Sequence, residues 1–200
     1  MNVTTAADFT LIGALAAIWL AAGLLADGLP VARTAAELRR RAALLSILVG
    51  AGAAVFVAIP LVTGAMPGSS AAPMAALPSA LPAMVVLTTT VRRLGQVRRG
   101  AGAFETAPQA PVPPGLRAAA AHPLVAAPLQ VTGLAAVVGL PIAAGVVTVP
   151  GSDAAGIAIT AVALAVVAIG VRHALRHSRL AVRAVAPIKR APKQIATRVR

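Results

Sequence analysis

The chain has 200 residues, of which 58% are hydrophobic and only 12% charged, with a mean hydropathy of +0.87 and a formal net charge of +13. That charged share is about half the usual one for soluble domains and speaks against a water-soluble fold. The absence of cysteine excludes disulfides, thiolate metal sites and cysteine nucleophiles, and a nucleic-acid reading of the positive charge lacks stacking surfaces, because Phe9, Trp19, Phe56 and Phe104 are the only aromatic side chains.

A membrane-spanning helix needs roughly 20 mostly apolar residues. A cation near its middle costs about 2.5–3.5 kcal/mol, so charge-free stretches mark the spans. Residues 1–8 carry Asp8 and no cation. They lack the positive region of a secretory signal, and the first apolar segment is expected to stay in the protein. It covers residues 9–29 and ends at Asp27-Gly28-Leu29-Pro30, a helix stop by its Gly and Pro. Thr5-Ala6-Ala7-Asp8 has the form of a capping box at its start.

Residues 30–41 form a cytoplasmic loop in this reading. Thr34-Ala35-Ala36-Glu37 is a second capping box, and Arg39, Arg40 and Arg41 follow it to the membrane surface, where long side chains snorkel to headgroups. The second span is residues 42–65, and the turn at 66–72 contains Met66-Pro67-Gly68-Ser69-Ser70. The third span, 73–91, is interrupted by Pro73, Pro78 and Pro82, and a re-entrant loop is its alternative. Residues 92–122 read as a cytoplasmic segment whose part 100–121 is an extended, Pro-rich linker. Its PxxP spacings at Pro108, Pro111 and Pro114 suit a semi-rigid spacer better than a docking motif. The fourth span is 123–149, the turn 150–153, the fifth span 154–171, and the basic tail 172–200.

With five spans, all 18 Lys and Arg residues fall on one side, and only Asp8 and Asp153 face the other. Cytoplasmic loops collect cations, so the N-terminus is expected outside and the C-terminus inside. Cations that are Arg except for Lys189 and Lys193, in an Ala-, Val- and Gly-rich chain, point to a bacterial cytoplasmic (inner) membrane protein from a GC-rich genome.

Spans two and four align at an offset of 81 residues, Leu48–Met66 against Leu129–Val147, with six of 19 positions identical, including Gly52 with Gly133, Pro60 with Pro141 and Gly64 with Gly145. The expected fold is therefore an all-α bundle of five membrane helices, one N-terminal span plus two duplicated helical hairpins related by an axis along the membrane normal. Pro60 and Pro141 each free a backbone carbonyl. Together with Gly64, Gly145 and Gln130 they mark a possible path between kinked helices, against the plainer reading that Ala- and Gly-rich helices pack closely and tolerate a kink.

Groups able to carry chemistry are few. Asp27 is the one acid at the edge of a span, with Arg33 or Arg41 as its expected partner, and a proton-coupled mechanism would rest on it alone. His173 and His177 are four residues apart, but no third ligand accompanies them, so neither a metal nor any other cofactor is expected. No Ser/His/Asp set is credible, and Asn2-Val3-Thr4 matches a glycosylation sequon only at chance level. Arg172, Arg176, Arg179 and Arg183 are spaced 4, 3 and 4 and form a basic helical stripe suited to anionic lipid or an acidic partner. These features favour a non-catalytic accessory or assembly subunit that binds membrane partners, itself or anionic lipid, with no nucleic acid; the alternative is a small transporter or exporter.

Overall fold

The computed structural model describes residues 3–147, 163 and 165–182. The turn at 150–153, most of residues 154–171, Arg183 and the tail beyond it lie outside the described residues, as does Asn2. Within the described residues, 84% are helical and none belongs to a strand. Helix α1 spans Val3–Gly28 and runs into a 3-10 turn, Leu29–Val31. Helix α2 spans Ala35–Gly64. Helix α3 (Ala72–Val85), a π segment (Val86–Thr90) and α4 (Val91–Gly102) form one continuous rod. Helix α5 (Pro114–Ala120) leads into α6 (Pro123–Ala143), and residues 165–182 form α7. Four of these stretches, Val3–Val31, Ala35–Gly64, Ala72–Gly102 and Pro114–Ala143, are long and apolar enough to cross a membrane.

Helix α1 sits between α2 and α6, and glycine lets both approach it closely. At Gly52 of α2 a Cβ would stand 2.8 Å from the ring of the fully buried Trp19, and at Gly133 of α6 one would stand 2.9 Å from the backbone nitrogen of Leu20. Gly139 of α6 lies directly against the Ala75 carbonyl of α3. In apolar surroundings helices associate through van der Waals packing and close backbone approach, which small residues permit. Ile12, Leu15, Leu45, Ile59 and Leu129 fill the buried seam between them. Large apolar side chains also point outward, among them Leu24, Ile47, Leu61 and Leu81.

The prolines of the third apolar stretch do not break it. Pro73 occupies the first turn of α3, where no amide donor is needed, and Pro78 and Pro82 sit inside the helix. A π segment follows them, where the Val91 amide reaches back five residues to the Val86 carbonyl. Thr88 and Thr89 donate to the Met84 and Val85 carbonyls just before the widened turn, at 2.8 and 2.7 Å. The Thr90 hydroxyl instead crosses to α6 and donates to the Leu124 carbonyl at 2.7 Å. That carbonyl lies four residues before Pro128, whose missing N–H would otherwise leave it without a donor.

Two expectations about helix starts need correction. Helix α1 begins at Val3, so Thr5-Ala6-Ala7-Asp8 is inside it rather than at its cap. Asp8, only 3% exposed, serves another helix: its carboxylate accepts from the Ala71 amide at 2.8 Å and from the Ser70 hydroxyl at 2.6 Å, ahead of the start of α3. At α2, Thr34 does cap, accepting from the Glu37 amide at 3.2 Å, while the Glu37 carboxylate turns to the Arg33 amide at 2.8 Å instead of closing the box on Thr34.

The Pro-rich stretch is also more ordered than a spacer. Helix α4 extends to Gly102, and α5 occupies Pro114–Ala120. Between them the Ala110 and Pro108 carbonyls accept from the Ala35 and Ala36 amides, both at 3.0 Å, so this segment satisfies the first donors of α2. Arg33 and Val112 add a 3.1 Å bond between their backbones.

Gly133→Ala is expected to lower the thermal unfolding midpoint in mild detergent, through overpacking of about 1–3 kcal/mol. Gly50, beside which a Cβ would meet open space, is the control, since Gly50→Ala should raise the midpoint through helix propensity worth about 0.5–1 kcal/mol. Equal responses of the two variants would show that α6 does not touch α1 at Gly133.

Candidate functional site

The polar side chains of the bundle gather where the end of α1, the first half of α6 and α7 meet. The carbonyls at the end of a helix are open to side-chain donors, and the helix dipole makes that end attractive to cations. Arg41 donates to the Gly28 carbonyl at 2.7 Å, and Arg176 to the Asp27 carbonyl at 2.9 Å. The Asp27 carboxylate holds two guanidinium groups at once, Arg172 on Oδ2 at 2.7 Å and Arg176 on Oδ1 at 2.6 Å. Arg172 and Arg176 are one helical turn apart, so both reach a single acceptor.

Gln130 lies one layer deeper. Gly23 makes room for it, since a Cβ there would stand 2.9 Å from Gln130 Cγ. The amide oxygen meets His173 Nε2 at 3.1 Å, and the amide nitrogen faces the Gly23 carbonyl at 3.5 Å. An amide oxygen only accepts, so His173 carries its proton on Nε2. His173 is 2% exposed, which makes it the buried anchor of α7. His177 donates from Nδ1 to the Ala118 carbonyl at 3.0 Å, and its ring lies 4.9 Å from that of His122. His122 in turn caps α6 by accepting from the Leu124 amide at 3.2 Å.

Sequence spacing and structure therefore differ on several partners. Asp27 pairs with Arg172 and Arg176, not with Arg33 or Arg41; Arg41 goes to Gly28 and to Glu37. Half of the basic stripe is thereby paired with Asp27, while Arg179 lines an open groove of about 890 Å³ with Asp27, Val31, Val171 and Leu175. Arg183 lies outside the described residues. His173 and His177 point to different partners, and among the described residues no three His, Asp or Glu side chains converge on one point. Of the residues marking a path, Gln130 alone is half-buried; Pro60, Gly64, Pro141 and Gly145 are exposed, with α1 between their helices.

The roles of Asp8 and Thr90 had no signal in the sequence, because their partners lie 63 and 34 residues away. The Asp27 pairs span 145 and 149 residues, and only the i, i+4 repeat of Arg172 and Arg176 hinted that one group could take both. Within the cluster the geometry is that of a clamp: two cations hold the Asp27 carboxylate, and His173 and His177 each meet an acceptor on another element. Comparison with protein-family models, curated proteins and solved structures finds no match for this chain.

Asp27→Asn and Arg176→Gln should each speed hydrogen exchange across residues 165–182, and the double variant should be little worse than either. A coupling of about 0.5–3 kcal/mol is expected. Additive effects would mean that the clamp does not hold α7.

Proposed function

We propose that this protein is a five-span integral protein of a bacterial cytoplasmic membrane, N-terminus outside and C-terminus inside. In this reading it is a non-catalytic accessory or assembly subunit that engages membrane partners or anionic lipid. The observation that carries the proposal is the polarity of the bundle. The antiparallel helices bring Asp8, Ser70 and Ala71 together at one end, and every described arginine lies toward the other. Long apolar helices with outward-facing Leu, Ile and Val between two such ends suit a bilayer, and cations collect on the cytoplasmic side of one. The clamp at Asp27 and the small-residue helix faces favour association over catalysis.

A duplication of the second and fourth apolar stretches is part of this reading. It is supported by Gly52 and Gly133, equivalent in the alignment, packing on successive residues of α1, Trp19 and Leu20. A transport path is the weaker reading, since the proline and glycine positions that would frame it are exposed and lie apart.

The absence of native cysteine makes topology directly measurable. A membrane-impermeant maleimide should label Ser69→Cys in intact cells and Gln109→Cys only after permeabilisation; the reverse pattern inverts the orientation, and labelling of both in intact cells removes it. Mild-detergent purification from the native membrane should bring stoichiometric partners, identified by mass spectrometry. A partner-free particle would count against an accessory subunit and make flux assays the next experiment.

A further inference from the structure

Arg39 of α2 and Arg98 and Arg99 of α4 line a cleft of about 330 Å³ whose remaining walls are Ala43, Gly95 and Gly102. Three arginines thus line a space bounded otherwise by small residues, and no acid is among the residues that line it. Arg98 rests 3.4 Å from the Ser46 hydroxyl, which ties α4 to α2 beneath the cleft. Glu105 pairs with Arg39 at 3.1 Å from outside, with both side chains at least half exposed; such a pair contributes about 0–1 kcal/mol and yields readily to a competing anion.

Toward the middle of the helices the surface changes character. On α2, Leu44 and Ile47 are exposed, and Gly50 leaves open space beside it; on the α3–α4 rod, Leu87 and Val91 are exposed. Cations at the end of the bundle above apolar side chains complement an amphiphile with an anionic head and hydrocarbon tails. The larger groove at Asp27 fits such a head less well, because the Asp27 carboxylate lines it, already engages Arg172 and Arg176, and repels an incoming phosphate.

We infer that the Arg39, Arg98 and Arg99 cleft binds the phosphodiester headgroup of an anionic phospholipid, with its acyl chains along Ile47 and Val91. Guanidinium groups suit phosphate because their planar donors engage two oxygens together. This inference rests on the membrane reading proposed above and deepens it by naming a lipid site.

The test titrates the purified full chain in mild detergent with phosphatidylglycerol or phosphatidylcholine and counts bound lipid by native mass spectrometry. The wild type should retain phosphatidylglycerol selectively. Arg98→Gln with Arg99→Gln should weaken that binding about 30-fold, from two cations at about fivefold each. Arg92→Gln with Arg93→Gln removes the same charge from the same helix and should leave the binding within about threefold. Equal loss in both double variants, equal retention of phosphatidylcholine, or full competition by soluble glycerol phosphate would each overturn the lipid site. Carbonate extraction of membranes carrying the wild type and both variants separates the two levels: an extracted wild type overturns the membrane reading and the site with it, whereas a resistant protein without lipid selectivity overturns the site alone.

Discussion

The close approach of α6 to α1 is the contact on which the rest of the bundle depends. Gly133 brings the α6 backbone against Leu20, and Gly23 admits Gln130 from the opposite direction, so each helix supplies a glycine where the other needs volume. Once the two are this close, Gln130 can present its amide oxygen to His173, and α7 gains a buried anchor. On the other flank Gly52 receives Trp19, the largest buried side chain of the core, so α2 is held by shape as much as by area. Hydrophobic content alone would leave these helices free to rotate about one another. The glycine notches fix the rotation, because α1 meets α6 closely only where Gly133 and Gly23 leave room for it.

A second requirement shapes everything around that contact: backbone groups freed by prolines and helix ends must find partners within the bundle. Pro128 leaves the Leu124 carbonyl without its amide, and Thr90 from the neighbouring helix supplies a hydroxyl. Asp8 supplies acceptors where α3 begins, the Pro-rich segment supplies carbonyls where α2 begins, and Arg41 and Arg176 supply donors where α1 ends. Each cap is delivered by a different element, and each delivery ties that element into the bundle. Capping here is therefore also tertiary structure.

The arginines divide by the same logic. Those that reach the end of α1 from other helices, Arg41, Arg172 and Arg176, hold the fold together. Arg98 and Arg99 of α4 and Arg39 of α2 converge on a cleft bounded by small residues. A positive net charge spread along the sequence thus resolves into structural cations and a concentrated positive site at the same end of the molecule.

Length, apolar runs and punctuation were enough to mark four helices long and apolar enough to cross a membrane, since the hydrophobicity of 20 consecutive residues and the stops at Leu29-Pro30 and Pro67-Gly68 are local properties. The Thr34 cap was legible for the same reason, its donor lying three residues away. Partnerships across the fold were not legible. Asp8 looked like a cap for its own helix and caps another; Asp27 had nearby arginines in sequence and takes two from the far end of the chain; the linker looked free and is docked on α2. An acid finds whichever cation the packing of backbones sets beside it. That packing is decided by where glycines let helices meet, a property of two surfaces together that neither stretch of sequence carries alone.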